Sequence, residues 1–248
     1  TYTITESIMF PSYSSSNKGQ AMLVGSGESL TTIASQVPPI SGVDTEGRYQ
    51  YSADNSYAIR IQNHRVTIMN LTIESNNTPW LVMIKGTRNY EYNRHLIKHV
   101  NIVSSMNGIC AYAMTNITVD SCTFSCADTG IGCFVGCTRT YIQNCYFQDG
   151  TTGIVAQGGN DGFSIVDNYI AIDDSSGSVG VYLDGGSVNV DRNFINSYTG
   201  VYVNSSGDEV ISCNEFNGVH VGVEIHGGSG NVVSGNRCYG DYYPFSGK

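Results

Sequence analysis

The chain has 248 residues, of which 13% are charged, and a formal net charge of −9. That acidity excludes recognition of a nucleic-acid backbone, which needs clustered Lys and Arg. No apolar run reaches the roughly 18 residues of a membrane span. With 29 Gly and 17 Tyr against 5 Pro, and with Asn, Ser and Thr where Lys and Glu usually stand, the composition favours strands and tight turns over helices.

The chain opens on an alternating strand, Thr1-Tyr2-Thr3-Ile4-Thr5-Glu6-Ser7-Ile8, without a signal peptide or an initiator Met. A processed mature protein and an expression fragment both fit that opening. AMLVGSGESLTTIAS (21–35) continues the pattern. Residues 34–56, with Pro38, Pro39 and Gly42, break it and are expected to leave as a loop. YAIRIQNHRVTIMNLTI (57–73) resumes the alternation. Residues 74–96, with Trp80, Arg88, Tyr90, Tyr92 and Arg94, are expected to form a second excursion. Loops on a rigid scaffold often carry function, although these aromatics could simply pack against the flank.

From Gly108 onward a repeat is plain. Gly108-Ile109, Gly130-Ile131, Gly153-Ile154, Gly180-Val181, Gly200-Val201 and Gly222-Val223 follow one another at 20 to 27 residues. Each pair opens a short alternating strand. Period two points Ile109, Ile131, Ile154, Val181, Val201 and Val223 inward. Ala111, Cys133, Ala156, Leu183, Val203 and Ile225 follow two residues later. Between these strands runs a second column: Leu71, Val100, Cys122, Cys145, Asn168, Asn193, Asn214 and Asn236. Asn168, Asn193, Asn214 and Asn236 are expected to form a ladder, each amide bonded to the next, because a lone buried Asn would be costly.

No such coil can bury its apolar face alone, so neighbouring coils must stack. The expected fold is all-β: a single right-handed parallel β-helix over residues 1–248, with coils of about 22 residues. The repeats TVDSCTF, YIQNCYF, SIVDNYI and NVDRNFI, with the opening TYTITESIMFPS, resemble the pectate-lyase-like superfamily of right-handed β-helices. The resemblance covers nearly the whole chain. It implies the fold and leaves the activity open, since the superfamily spans lyases, hydrolases, phage tailspikes, adhesins and surface scaffolds. Family members usually carry a helix capping the first coil, and none is readable before Thr1 or after Asn236. Uncovered strand edges invite pairing, so a homo-oligomer or end-to-end stacking is expected.

The eight cysteines permit disulfides in an oxidising compartment. Cys122 and Cys145 share a column one coil apart, and the strand spacing of about 4.8 Å suits a bridge; the alternative is two stacked thiols. Cys126 and Cys137 are a second candidate pair. Zinc at Cys122-x3-Cys126 and Cys133-x3-Cys137 is disfavoured, because inward and strand-end cysteines do not converge. No metal and no cofactor is expected.

Asp173-Asp174 and His226-Gly227 resemble elements of polygalacturonases, but the Asn-x-Asp and Arg-x-Lys elements are missing, and Asp173-Asp174-Ser175-Ser176-Gly177 also reads as a turn. No catalytic residue is assigned. The stronger local case is an outward face. Alternation sets Tyr182, Tyr202 and Glu224 in one external column and Asp184, Asn204 and His226 in the next. These residues, with Trp80, are candidates for glycan binding; the tyrosines could equally be cross-strand neighbours only. Asn70, Asn76, Asn116 and Asn204 stand in N-x-S/T sequons.

The reading is an extracellular, cell-surface or virion-surface β-helical module. It is structural or adhesive, can self-assemble into a fibre and contacts glycans. The alternatives are a polysaccharide lyase or glycoside hydrolase working in an external groove, and a viral receptor-binding spike.

Overall fold

The computed structural model describes residues 1–10, 20–36, 57–62, 65–86, 94–205, 207–239 and 243–247. Its 25 strands form one continuous sheet, coiled as a right-handed parallel β-solenoid. No helix occurs among the described residues. One coil shows the plan: Thr123–Cys126, Thr129–Phe134 and Tyr141–Gln143 run in succession, and each pairs in parallel with its counterpart one coil away. The strands therefore stack into three ribbons, called first, second and third in that order.

The repeat reads directly as register. In the second ribbon Val82, Ile109, Ile131, Ile154, Val181, Val201 and Val223 lie one above another. All are buried in a core that runs along the axis. In the first ribbon Phe124 and Phe147 stack inside that core at 4.6 Å.

The glycine before each inward residue is demanded by packing. A Cβ on Gly108 would sit 2.5 Å from the Gly130 carbonyl oxygen, and one on Gly180 would sit 2.7 Å from that of Gly200. Side chains of the interior close the same space, Phe124 beside Gly108 and Ile195 beside Gly180. Only hydrogen lets consecutive coils approach this closely.

The corner between the third and first ribbons is a two-residue turn. Its first residue is left-handed in coil after coil: Asn70, His99, Ser121, Asn144, Asp167, Arg192, Cys213 and Gly235 all have φ between 51° and 65°. Its second residue turns inward and is the column of Leu71, Val100, two cysteines and four asparagines.

The asparagine ladder is present. The Nδ2 of Asn168, Asn193 and Asn214 each donates to the Oδ1 of the next asparagine, at 2.9, 3.0 and 3.0 Å. The same Nδ2 groups donate back to Ile142, Ile165 and Val190 carbonyls, and Asn236 donates to Ile211. Each Oδ1 also accepts a backbone N–H from the coil before it. Every polar atom of the buried amides is thus used.

Two expectations need correction. Cys122 and Cys145 are free thiols here, as are the other six cysteines, Cys126 and Cys137 included. Their Sγ atoms take the place of an asparagine Nδ2: Cys122 donates to Ile97 O at 3.5 Å, and Cys145 to Val119 O at 3.7 Å. Each Sγ also lies near the carbonyl two residues before it, Cys122 at 3.3 Å from Asp120 O and Cys145 at 3.1 Å from Gln143 O, and the two thiols are within bonding reach of each other.

The second correction concerns residues 74–96. They are not one excursion, because Trp80–Lys85 is a full rung of the second ribbon. The stretch before it is a corner, in which Ser75 Oγ accepts the N–H of Asn77 and of Thr78. WLVMIK lacks alternation because both of its faces are covered: Val82 and Ile84 face the core, and Met83 packs in a satellite cluster with Tyr57, Trp80, Cys110 and Phe134. Most of the other expected loop, residues 37–56, lies outside the described residues, as do 87–93.

Candidate functional site

The outer face of the second ribbon gathers the residues that alternation assigns to it. Tyr182, Tyr202 and Glu224 are in register across three coils. Gln157 and Asp184 pair two residues further along, and Asn204 and His226 continue that line, their N–H groups bonded to Leu183 and Val203.

The rings form a stack. Tyr182 and Tyr202 are 5.4 Å apart and 8° from parallel, and Tyr202 and His226 are 4.9 Å apart at 29°. Tyr202 is therefore covered on both faces. A sugar cannot lie flat on it, and the stack offers outward its ring edges and phenol groups. Burial, and next the Asp184 carboxylate, push the Tyr182 phenol up, so it stays a hydrogen-bond donor.

The acids are held in place. Asp184 Oδ1 accepts from Ser205 Oγ at 2.5 Å and from Asn204 Nδ2 at 3.3 Å, while Oδ2 accepts from Gln157 Nε2 at 3.3 Å. Glu224 Oε1 lies 2.6 Å from His226 Nε2. These positions stand on strands stacked in a rigid solenoid, so the face is arranged before any ligand arrives.

Other candidates lie elsewhere. Trp80 is 4% exposed. It sits on the outer side of the same ribbon, edge-on to Phe134 at 6.1 Å, and belongs to the satellite cluster rather than to a surface platform. Asp173 and Asp174 are exposed in the turn before the strand that carries Tyr182, whereas His226 follows Val221–Ile225. The two elements thus sit at opposite ends of the ribbon and do not meet. Among the sequons, Asn76 is exposed, while Asn70, Asn116 and Asn204 are half-buried. The Asn204 amide nitrogen is already the donor to Asp184.

A second aromatic stack went unrecognised in the sequence. Tyr146, Tyr169 and Phe194 stack on the outer face of the first ribbon, at 5.0 and 4.6 Å. The signal was present: each follows a ladder residue, in Cys145-Tyr146, Asn168-Tyr169 and Asn193-Phe194. The charged pair Lys98–Asp120, 2.8 Å apart, was also missed, because it is formed by register between coils and has no motif.

Comparison with known proteins gives one family. The profile described as "Periplasmic copper-binding protein (NosD)" matches residues 69–243. No curated protein matches the chain. Among solved structures it is similar to PfbA, a surface adhesin of Streptococcus pneumoniae, with 16% identity and a TM-score of 0.43 over 93% of this chain and 71% of that one. It is also similar to the A-module of the Azotobacter vinelandii mannuronan C-5 epimerase AlgE6, with 12% identity and a TM-score of 0.36 over 92% of this chain and 82% of that one.

Proposed function

The chain belongs to the family of the periplasmic copper-binding protein NosD, and from that premise we propose that it is a β-helical scaffold of the periplasm or cell surface that binds glycans on its second ribbon without cleaving them. The observation that carries this reading is the preorganised face of Tyr182, Tyr202 and His226 with Asp184 and Glu224. Phenols, a carboxylate and an amide in fixed positions suit the hydroxyl groups of a sugar chain. Both Asp184 oxygens already accept hydrogen bonds, which suits a recognition group better than a proton shuttle.

The family name implies copper. Copper(I) takes converging thiolates and thioethers, and copper(II) takes imidazoles with further N or O donors. Among the described residues no three His, Cys, Asp or Glu side chains converge. Six cysteines are buried. Burial pushes the Cys110 and Cys145 thiols up, and burial together with nearby Asp149 and Asp128 takes Cys126 up to about 12. Those raised thiols are the opposite of what a thiolate ligand needs; Cys137 is lowered, by its bond with Cys133, whose own thiol is raised. The described residues do not fit a resident copper ion, and copper has no part in the proposal.

The rival reading is a polysaccharide-cleaving enzyme, with the Glu224–His226 couple as its base. One experiment separates the two. The protein is incubated with neutral, acidic and amino polysaccharides, and both binding and the release of unsaturated or reducing-end products are followed. Retention of a polysaccharide that weakens in Tyr182→Ala and Asp184→Asn, with no products released, is the expected result. Turnover abolished by Glu224→Gln would overturn the scaffold reading in favour of the enzyme.

A further inference from the structure

We propose that Cys133 and Cys137 are a dithiol that closes to a disulfide when the folded protein meets a disulfide oxidant, locking the corner between the second and third ribbons. The inference is independent of the glycan face. It takes from the reading above only the exported location, where such oxidants act.

The pairing comes from the fold. Cys133 faces the core and is in register with Ala111 of the preceding coil. Cys137 stands at the corner beyond the strand end, yet its Sγ lies 3.5 Å from Ala111 O and 3.6 Å from Phe134 O. The strand residue and the corner residue thus meet against the same rung. Both are buried in the axial core, and the Cys133 thiol donates a hydrogen bond to Cys137. Two other cysteines compete less well. Cys126 ends the first-ribbon strand, and the whole rung Thr129–Phe134 separates it from Cys137. Cys110 is in register with Gly132 and packs in the satellite cluster on the outer side of the ribbon.

The corner between the two thiols is strained and reachable. Val135 has φ 58° and Gly136 has φ 77°, and the left-handed region is costly for a β-branched residue. Val135 is 39% exposed, although its neighbours on both sides are buried. A local opening of this corner gives an oxidant access to thiols that the closed state covers. Phe134, between the cysteines, rests with Trp80 on the bare Gly132. A bridge therefore also pins the cover of the satellite cluster.

Cys137 attacks first. The bond from Cys133, joined by backbone bonds at Met114, Phe134 and Ala113, holds its thiol below the usual range against burial. The Cys137 proton leaves to solvent, and the thiolate attacks one sulfur of the oxidant's S–S bond. That bond breaks, its other sulfur leaves as a thiolate and takes up a proton, and Cys137 holds a mixed disulfide. Cys133 then loses its proton and attacks Cys137 Sγ, expelling the second oxidant thiolate, which is protonated in turn. Two protein thiols are oxidised, and one disulfide is reduced to two thiols.

The test equilibrates the folded whole chain with mixtures of reduced and oxidised glutathione, then quenches with acid, denatures and alkylates with a maleimide. Chymotrypsin cuts after Phe124, Phe134 and Tyr141, which puts Cys133 and Cys137 on separate peptides. Mass spectrometry reads their linkage, and fragmentation shows whether Cys126 or Cys133 holds it. A Cys133–Cys137 bridge is expected, with loss of maleimide at both. In Cys133→Ser, glutathione is expected to stay on Cys137, because the thiol that expels it is gone; an unmodified Cys137 there overturns the order of attack.

Maleimide on both thiols of the unmodified chain at every glutathione ratio overturns the inference, as does a bridge from Cys137 to Cys126 or Cys110. A Cys133–Cys137 bridge that forms only when oxidation is carried out in denaturant overturns it too, since the folded corner then has no part in the pairing.

Discussion

Asp120 shows how a single side chain can hold three coils together. It follows the strand core at the third-ribbon corner, where Lys98 lies 2.8 Å away and Asn144 and Ser121 each donate to Oδ1 at 3.0 Å. Burial alone would raise its pKa, but the bonds from Asn144, Lys98 and Ser121 outweigh burial and hold the carboxyl at about 2. An unfolded aspartate titrates near 3.9. The folded value is depressed, so the stabilisation is fully present above about pH 4 and is lost as pH falls through about 2. Solvent reaches the pair, so the contribution is roughly 1 kcal/mol or less. Asp120→Asn is expected to lower the melting temperature by a few degrees near neutral pH. The gap from the unmodified protein should close in thermal scans between about pH 4 and pH 2. A gap that stays constant down to pH 2 would remove the ionised carboxylate from the account. The left-handed corner residues are local in the same sense: Arg192 and Cys213 adopt a conformation that costs a non-glycine residue about 1–2 kcal/mol, and Arg192 offsets it by bonding Asp167 at 2.8 Å.

At the scale of one structural element, the inward column behaves as a single device with interchangeable parts. Cysteine thiols and asparagine amides donate to equivalent carbonyls of the preceding coil. The amide adds an acceptor that the thiol lacks. Asn193→Leu would leave the backbone N–H and the Nδ2 of Asn168 without their acceptor, and the Oδ1 of Asn214 without one of its donors. Unsatisfied buried groups cost about 1–3 kcal/mol each, so a loss of roughly 3 kcal/mol or more is expected in denaturant unfolding. Cys145→Asn should instead extend the ladder upward and stabilise by about 1 kcal/mol. A neutral Asn193→Leu would dissolve the ladder as a source of stability. This column was legible in the sequence because its period is fixed and its residues are of a kind that a core admits only when satisfied. The Tyr182–Tyr202–Glu224 face was legible for the same reason, since alternation and register together place an outward residue as surely as an inward one. The rung Trp80–Lys85 was not legible, because a strand buried on both faces loses the alternation that marks it. Nor was the exclusion of Trp80 from the surface, which depends on Phe134 two rungs away. The thiol state of Cys122 and Cys145 was hidden too: column sharing sets their separation and does not by itself say whether a bond joins them.

The whole molecule is a one-dimensional stack, and that shapes how damage spreads. Each coil touches only its neighbours through the three ribbons, the glycine approach and the inward column, so stability is a sum of coil terms and nearest-neighbour interfaces. A lesion at Asn193 should therefore be felt mainly between the coils that hold Asn168 and Asn214. Hydrogen exchange measured by mass spectrometry tests this. In Asn193→Leu, amides of Tyr169–Ala171, Phe194–Asn196 and Glu215–Asn217 are expected to exchange faster by one to two orders of magnitude, the equivalent of about 1.4–2.8 kcal/mol of lost local protection. Tyr57–Gln62 and Asn107–Tyr112 should keep their protection, because no bond of the ladder reaches them. Acceleration of equal size along the chain would instead show a single cooperative unit, and with it a core whose coils do not act as separable neighbours. The same locality bears on function: Tyr182, Tyr202 and Glu224 occupy the very coils that Asn168, Asn193 and Asn214 tie together, so a weakened ladder should also loosen the face proposed to bind glycans, and the lost protection should be accompanied by weaker retention of any polysaccharide that the unmodified protein retains.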